Sequence, residues 1–280
     1  ARLVLAQFVQ QNGGCDLPCI LGLSPVTSNG ASIVAFSRYF QEHSTPIENL
    51  VVERDLYENI VGERVEIYSD GPQLNGGGAN LTFWKDRTRV QITIGAYYLD
   101  NIIDHIEFSA SVYVHSFEGT QEKVAIPPSH PDFDELVGQF SLSKILLKYG
   151  KPSEIWILPH PEYLPDHPYT NSAYPFDFVL IYPNNGFAIE YIARVTERGD
   201  YLVGCPNTSY IYLASWNPEK KKSFENMATY FRGTDSLGPS NHSSFQPIQD
   251  VTSVSVDDFY EHYKNPNFTE CVETPRKLWP

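Results

Sequence analysis

Gly138-Gln-Phe-Ser-Leu-Ser-Lys-Ile-Leu-Leu-Lys-Tyr-Gly150-Lys-Pro152 reads as one short amphipathic helix followed by its stop signal. Leu142, Ile145, Leu146 and Tyr149 recur at i, i+3, i+4 and i+7, one face of an α-helix over Ser141–Tyr149. Gly150 suits the left-handed residue past the last turn, and Pro152 blocks continuation. Downstream, Phe176–Tyr182 and Phe187–Ile192 flank Pro183-Asn-Asn-Gly186, and Asn-Gly between two apolar runs signals a β-hairpin. Tyr201–Val203 and Ile211–Ala214 follow as short strands. A helix leading into consecutive antiparallel strands predicts an α+β fold, not the alternating βαβ order of a nucleotide-binding sheet.

The same order recurs upstream. Gly30–His43 carries Ile33, Phe36, Tyr39 and Phe40 on one stripe, and Asn80–Trp84, Arg89–Ile94 and Ile106–His115 read as strands. We therefore expect two tandem units, each a helix packed on an antiparallel sheet, over residues 1–119 and 135–232. Thr120–Asp134, rich in Pro and acids, reads as their linker, and residues 233–280 as a loop-rich C-terminal tail. Asn217 and Pro218 open a further helix up to Gly233. Ser255 with Asp258 forms a capping-box pattern before Phe259, Tyr260 and Tyr263. Asn75-Gly-Gly-Gly-Ala-Asn80 reads as a loop, without the Lys-Ser/Thr of a phosphate-binding one.

The run from Gly138, with its Gly150-Lys-Pro152 stop and a strand opening on Ile155, resembles the helix-then-hairpin module of small bacterial envelope proteins. The BamE component of the β-barrel assembly machinery and the β-lactamase-inhibitor proteins carry that module. The resemblance covers residues 138–192 and implies an extracytoplasmic protein-binding module rather than an enzyme.

Composition narrows the field from the other side. The 280 residues hold 20 Lys+Arg against 34 Asp+Glu, a net charge of −14. Such a chain lacks the basic face that neutralises nucleic-acid phosphates or docks on anionic lipid. Its longest uncharged stretch, Leu17–Ser37, contains Pro18 and Pro25 and does not suit a spanning helix, so no membrane insertion is expected. Cys15, Cys19, Cys205 and Cys271 are an even set, as in an oxidising compartment. Four cysteines allow three connectivities; a local Cys15–Cys19 clasp with a long Cys205–Cys271 staple is the expected one. Buried free thiols remain the alternative, and the Cys15–Cys19 spacing lacks the second Cys or His pair of a zinc finger. The chain opens on Ala1 rather than Met, as after removal of a targeting segment. An extracytoplasmic location (secreted, periplasmic or cell surface) is therefore expected.

Candidate sites follow from residue chemistry. His160-Pro-Glu162-Tyr-Leu-Pro165-Asp166-His167 makes His160, Glu162 and His167 candidate metal ligands, and Asp132 and Asp134 form an Asp-x-Asp pair suited to calcium. A solvated loop is the simpler reading of each, so no cofactor is expected; zinc or calcium is what these residues would take. No Gly-x-Ser-x-Gly elbow occurs. The chain has 18 Tyr, and Tyr163, Tyr169 and Tyr174 beside Pro-rich turns are candidate contacts for a protein partner or a glycan. Asn80, Asn207, Asn241 and Asn267 stand in glycosylation sequons. The apolar start, Leu3-Val-Leu-Ala-Gln-Phe-Val9, is able to add as a strand to a neighbour's sheet. The expectation is a non-catalytic secreted or cell-surface protein that binds a partner or self-assembles, as in a filament or surface layer. The alternative is a secreted metal-assisted hydrolase or a carbohydrate-binding protein.

Overall fold

A computed structural model describes residues 4–28, 32, 35, 36, 38, 39, 61–69, 76–85, 88–99, 102–118, 121–125, 130–160, 175–208, 210–220 and 245–279. Its strands are β1 (Val61–Ser69), β2 (Gly76–Lys85), β3 (Thr88–Leu99), β4 (Ile102–Glu118), β5 (Gln121–Ala125), β6 (Glu154–Pro159), β7 (Pro175–Tyr182), β8 (Phe187–Arg198), β9 (Tyr201–Gly204), β10 (Tyr210–Trp216), β11 (Gln246–Pro247) and β12 (Val272–Pro275). They pair antiparallel in one sheet of order β1-β2-β3-β4-β10-β8-β7-β6-β11, with β5 on β4 and the β9–β12 pair on β8. The fold is α+β at this level, and the sheet dominates it more than two helix-on-sheet units predict. β10 pairs with β4 on one side and β8 on the other, so the sheet runs on between the upstream and downstream strands.

Strands β2, β3, β4 and β8 all run well beyond their expected lengths, and β4 and β8 each change neighbour along one side. β4 pairs with β3 and β10 and then, from Val114 onward, with β5. β8 gives Phe187–Tyr191 to β10 and Val195–Arg198 to β9. The three glycines at 76–78 lie in β2, opposite β3, and not in a loop. The hairpin turn at Pro183–Gly186 is present, with Gly186 at φ 71°, where a Cβ would stand 2.4 Å from the Trp216 carbonyl oxygen.

Alternation along the strands assigns one face to the core. The row Ile92, Ala110, Ile211, Tyr191, Phe178 and Ile157 runs across six strands and is buried throughout. Helices α2 (Pro131–Val137) and α3 (Leu142–Tyr149), with the 3₁₀ turn Gly138–Phe140 between them, contribute Phe133, Val137, Phe140, Ile145 and Leu146 to the same core. Phe108 and Phe140 rings meet at 5.0 Å, and the buried Tyr191 hydroxyl donates to the Phe140 carbonyl at 2.9 Å. Gly150 ends α3 at φ 78°, and the Tyr182 hydroxyl donates to its carbonyl at 3.0 Å.

Both chain ends dock on this body. Residues 4–10 form helix α1 (Val4–Gln10), not a strand, and the Gln139 side-chain amide donates to the Val9 carbonyl at 2.8 Å. Among the described residues of the first expected helix, 32, 35, 36, 38 and 39 are helical. The linker is structured in part: it holds β5, and its last residues open α2. In the tail, Ser255 and Asp258 make the capping box of α5 (Val256–Tyr263), which follows α4 (Ile248–Val251). Residues 218–220 form a single 3₁₀ turn, and the rest of the Asn217–Gly233 helix expected from sequence lies outside the described residues. Cys15 joins Cys19, and Cys205 joins Cys271 with Cα atoms 4.3 Å apart, fastening the end of β9 to the start of β12.

Gly204 marks where the small β9–β12 ladder presses on the main sheet. A Cβ there would lie 2.2 Å from Phe176 Cγ, inside a buried ring that stacks on Phe178 at 4.8 Å. Gly204→Ala should destabilise the fold by about 1–3 kcal/mol, the usual cost of overpacking. Chemical denaturation of the oxidised protein measures it, and an unchanged midpoint would show that Phe176 moves aside freely.

Candidate functional site: the polar face of the sheet

The face turned away from α2 and α3 carries different chemistry. One row aligns Thr93, Ser109, Tyr212, Glu190 and Val179 across β3, β4, β10, β8 and β7. On one side of it lie Gln91, Ser111 and Tyr210, followed by Ile192 and Asp177. On the other lie Gly95, Glu107, Ala214, Ala188 and Ile181, and beyond these Tyr97, His105 and Trp216. Each row thus contains a carboxylate, an imidazole or a phenol, one residue away from the apolar core positions.

Contacts tie these groups together. Tyr97 stacks on His105 with ring centres 4.5 Å apart, and its hydroxyl donates to Glu107 Oε2 at 3.3 Å. His105 Nε2 lies 3.5 Å from Glu107 Oε1 and Nδ1 lies 3.2 Å from Asp104 Oδ2, while Lys220 pairs with Asp104. The Arg89 guanidinium sits 4.5 Å over the Tyr113 ring, and Thr93 Oγ1 donates to Asn80 Oδ1 at 2.8 Å. Towards β7 the face is deeper: Glu190 is 3% exposed and Asp177 4%, and Asp177 Oδ2 lies 3.3 Å from His160 Nε2.

This environment holds the phenols neutral. Burial, then the charges of Tyr113, Glu190 and Asp177, pushes Tyr210 up to about 12. Tyr212 is held well above its usual value by burial first, then by the charge and hydrogen bond of Glu107, with Glu190 and Tyr97 adding to it.

Of the metal candidates read from sequence, His160 follows the end of β6 and meets Asp177, while Glu162 and His167 lie outside the described residues. So do Tyr163, Tyr169, Tyr174 and Asn241. Asp132 and Asp134 stand in the first turn of α2, where the Asp132 amide donates to His130 Nδ1 at 3.3 Å. Burial raises the Asp134 carboxyl, against the lowering effect of Lys144 and His130. Among the described residues no three His, Cys, Asp or Glu side chains gather as a metal group. Asn80 is half-buried on β2, whereas Asn207 and Asn267 are exposed, and Asn207 donates to the Phe268 carbonyl at 3.4 Å. A separate cavity of about 110 Å³ lies where the N-terminal loop meets α3, with Asp16, Lys148 and Tyr149 in its wall.

Glu107, Glu190, Asp177 and His105 were not singled out from the sequence. Their signal was there: His105, Glu107, Ser109, Ser111 and Tyr113 alternate with Ile106, Phe108, Ala110 and Val112. Asp177 and Glu190 are lone carboxylates inside otherwise apolar strands.

No family model, curated protein or solved structure matches this chain.

The tyrosines give that face a pH signature. A phenol held neutral by folding stabilises the native state in full below pH 10.0 and loses that contribution as pH climbs towards about 12, the value for Tyr210. Ultraviolet titration should show tyrosinate forming in two stages, exposed rings first, and Tyr210 and Tyr212 of this face, with Tyr191 of the core, only with loss of native circular dichroism. A single transition near pH 10.0 in folded protein would show a face open to water.

Proposed function

We propose that this chain is a non-catalytic, extracytoplasmic binding protein that takes a glycan on the polar face of its sheet. The observation carrying this reading is the set Tyr97, His105, Glu107, Tyr212 and Tyr210 on the pleat opposite the core. Tyrosine rings stack on the C–H faces of sugars, and carboxylates accept from sugar hydroxyls. The region around Tyr97, His105 and Glu107 is half-buried rather than sealed, as a contact surface requires. Two disulfides support a location outside reducing compartments. Among the described residues no helix is long and apolar enough to cross a membrane. Self-assembly by strand exchange draws less support, since residues 4–10 are a helix packed on their own chain.

The test is saturable binding to immobilised oligosaccharides. Glu107→Gln removes a charged acceptor and Tyr97→Phe removes a donor; each should weaken binding about tenfold, or ~1.4 kcal/mol, without shifting the melting temperature. Binding equal to wild type in both variants, or no saturable binding to any sugar, overturns the reading. A concentration-dependent multimer in sedimentation, with no sugar bound, would move the assignment to self-assembly.

A further inference from the structure

We propose that His160 and Asp177 form an open binding site for a divalent transition-metal ion, zinc being the best fit to their donors. Asp177 sits in β7 within Phe176-Asp-Phe-Val-Leu-Ile-Tyr182, a strand otherwise made of apolar and aromatic residues. It is 4% exposed, and its Oδ1 is buried with no hydrogen-bond partner. A buried carboxylate oxygen left without a partner is unfavourable until a donor or a cation reaches it. Glu190 stands one diagonal step away on β8, on the same face and equally buried, and the exposed Arg194 stands the same step away on the other side.

The second observation is a distance. His160 Nε2 and Asp177 Oδ2 are 3.3 Å apart. A charge-assisted hydrogen bond between them would draw in to about 2.7–2.9 Å. Two ligand atoms on one tetrahedral zinc, each about 2.0–2.2 Å from the ion, lie about 3.3–3.6 Å apart. The pair therefore stands at the edge length of a coordination tetrahedron, with an unpartnered carboxylate oxygen beside it.

His105 and His130 stand at comparable distances from acids, 3.2–3.8 Å, but differ in what those acids and ring nitrogens already engage. His105 faces Asp104 through Nδ1 and Glu107 through Nε2, on opposite sides of the ring, and Lys220 and Tyr97 engage those acids. His130 uses Nδ1 to accept from the Asp132 amide and Nε2 to meet Thr88 Oγ1 at 3.4 Å. Neither leaves a buried acid with a spare oxygen.

No third His, Cys, Asp or Glu among the described residues joins the pair as a group. The remaining coordination positions belong to water or to a donor atom of a bound molecule, which makes this an exchangeable site rather than a closed structural one. The inference is independent of the glycan reading, because it concerns metal binding by the free protein.

The experiment is calorimetric titration of zinc chloride into the full, chelator-treated and disulfide-intact chain at neutral pH. Wild type should bind one zinc per chain with a raised melting temperature. Asp177→Asn and His160→Gln should each weaken that binding at least tenfold, while His262→Gln, an exposed histidine on α5, leaves it unchanged. His160 is the milder site, at 15% side-chain exposure, so its variant reports even where Asp177→Asn unfolds. Absence of stoichiometric binding overturns the proposal. So does a folded His160→Gln variant that binds zinc as wild type does, which would assign the ion to surface imidazoles.

Discussion

The strand Tyr210–Trp216 is the element on which the rest of the structure depends. It lies between β4 and β8, matching Tyr210–Trp216 to Ser111–His105 on one side and Ile211–Ser215 to Tyr191–Phe187 on the other. Its neighbours belong to separate hairpin runs, so these seven residues close what would otherwise be two facing open edges. Its alternation also fixes which way both neighbours turn. Ile211 and Leu213 enter the core, while Tyr210, Tyr212 and Trp216 face the other way. A slip of one residue would drive phenols into the packed face and turn leucine and isoleucine out of it.

How much of this was legible depends on how local the signal was. Helix α3, its glycine stop, the Pro183–Gly186 hairpin and the Ser255–Asp258 cap all announce themselves within a dozen residues, through periodicity or side-chain capping. The β4–β10 pairing, separated by about a hundred residues of chain, has no local signal, and so two units were expected where a single sheet is found. The glycines at 76–78 misled for a related reason. Isolated from context they favour turns, but opposite β3 they form a ladder in which Gly78 faces Gly95. The N-terminal run Val4–Gln10 has an apolar content equally suited to strand or helix, and contact with α2 and Gln139 decides the outcome.

The candidate site was harder to read than the fold. Local clustering drew attention to the His160–His167 loop and to Asp132 and Asp134, because neighbours in sequence are easy to count. The sheet instead assembles its polar face from single residues on five strands, each unremarkable in its own segment. His160 belongs to both descriptions, and the residue it meets, Asp177, is a carboxylate set between two phenylalanines. A lone acid in an apolar strand is a sequence signal of its own, since burial without a partner is unfavourable.

Asn12 shows how narrowly one position is defined in the N-terminal loop. Its backbone is left-handed, at φ 50°, and its side chain is nearly sealed from solvent. Through Nδ2 it donates to the carbonyls of Cys15 at 2.8 Å and Cys19 at 2.9 Å, and through Oδ1 it accepts from the Leu21 amide at 2.7 Å. Aspartate keeps the acceptor and loses both donors; glycine accepts the backbone and loses all three bonds. Lysine and leucine fit neither demand. The exposed Val26 of the same loop carries no such demand, so the loop's shape is written in one asparagine that combines a left-handed backbone with two donated bonds and one accepted bond.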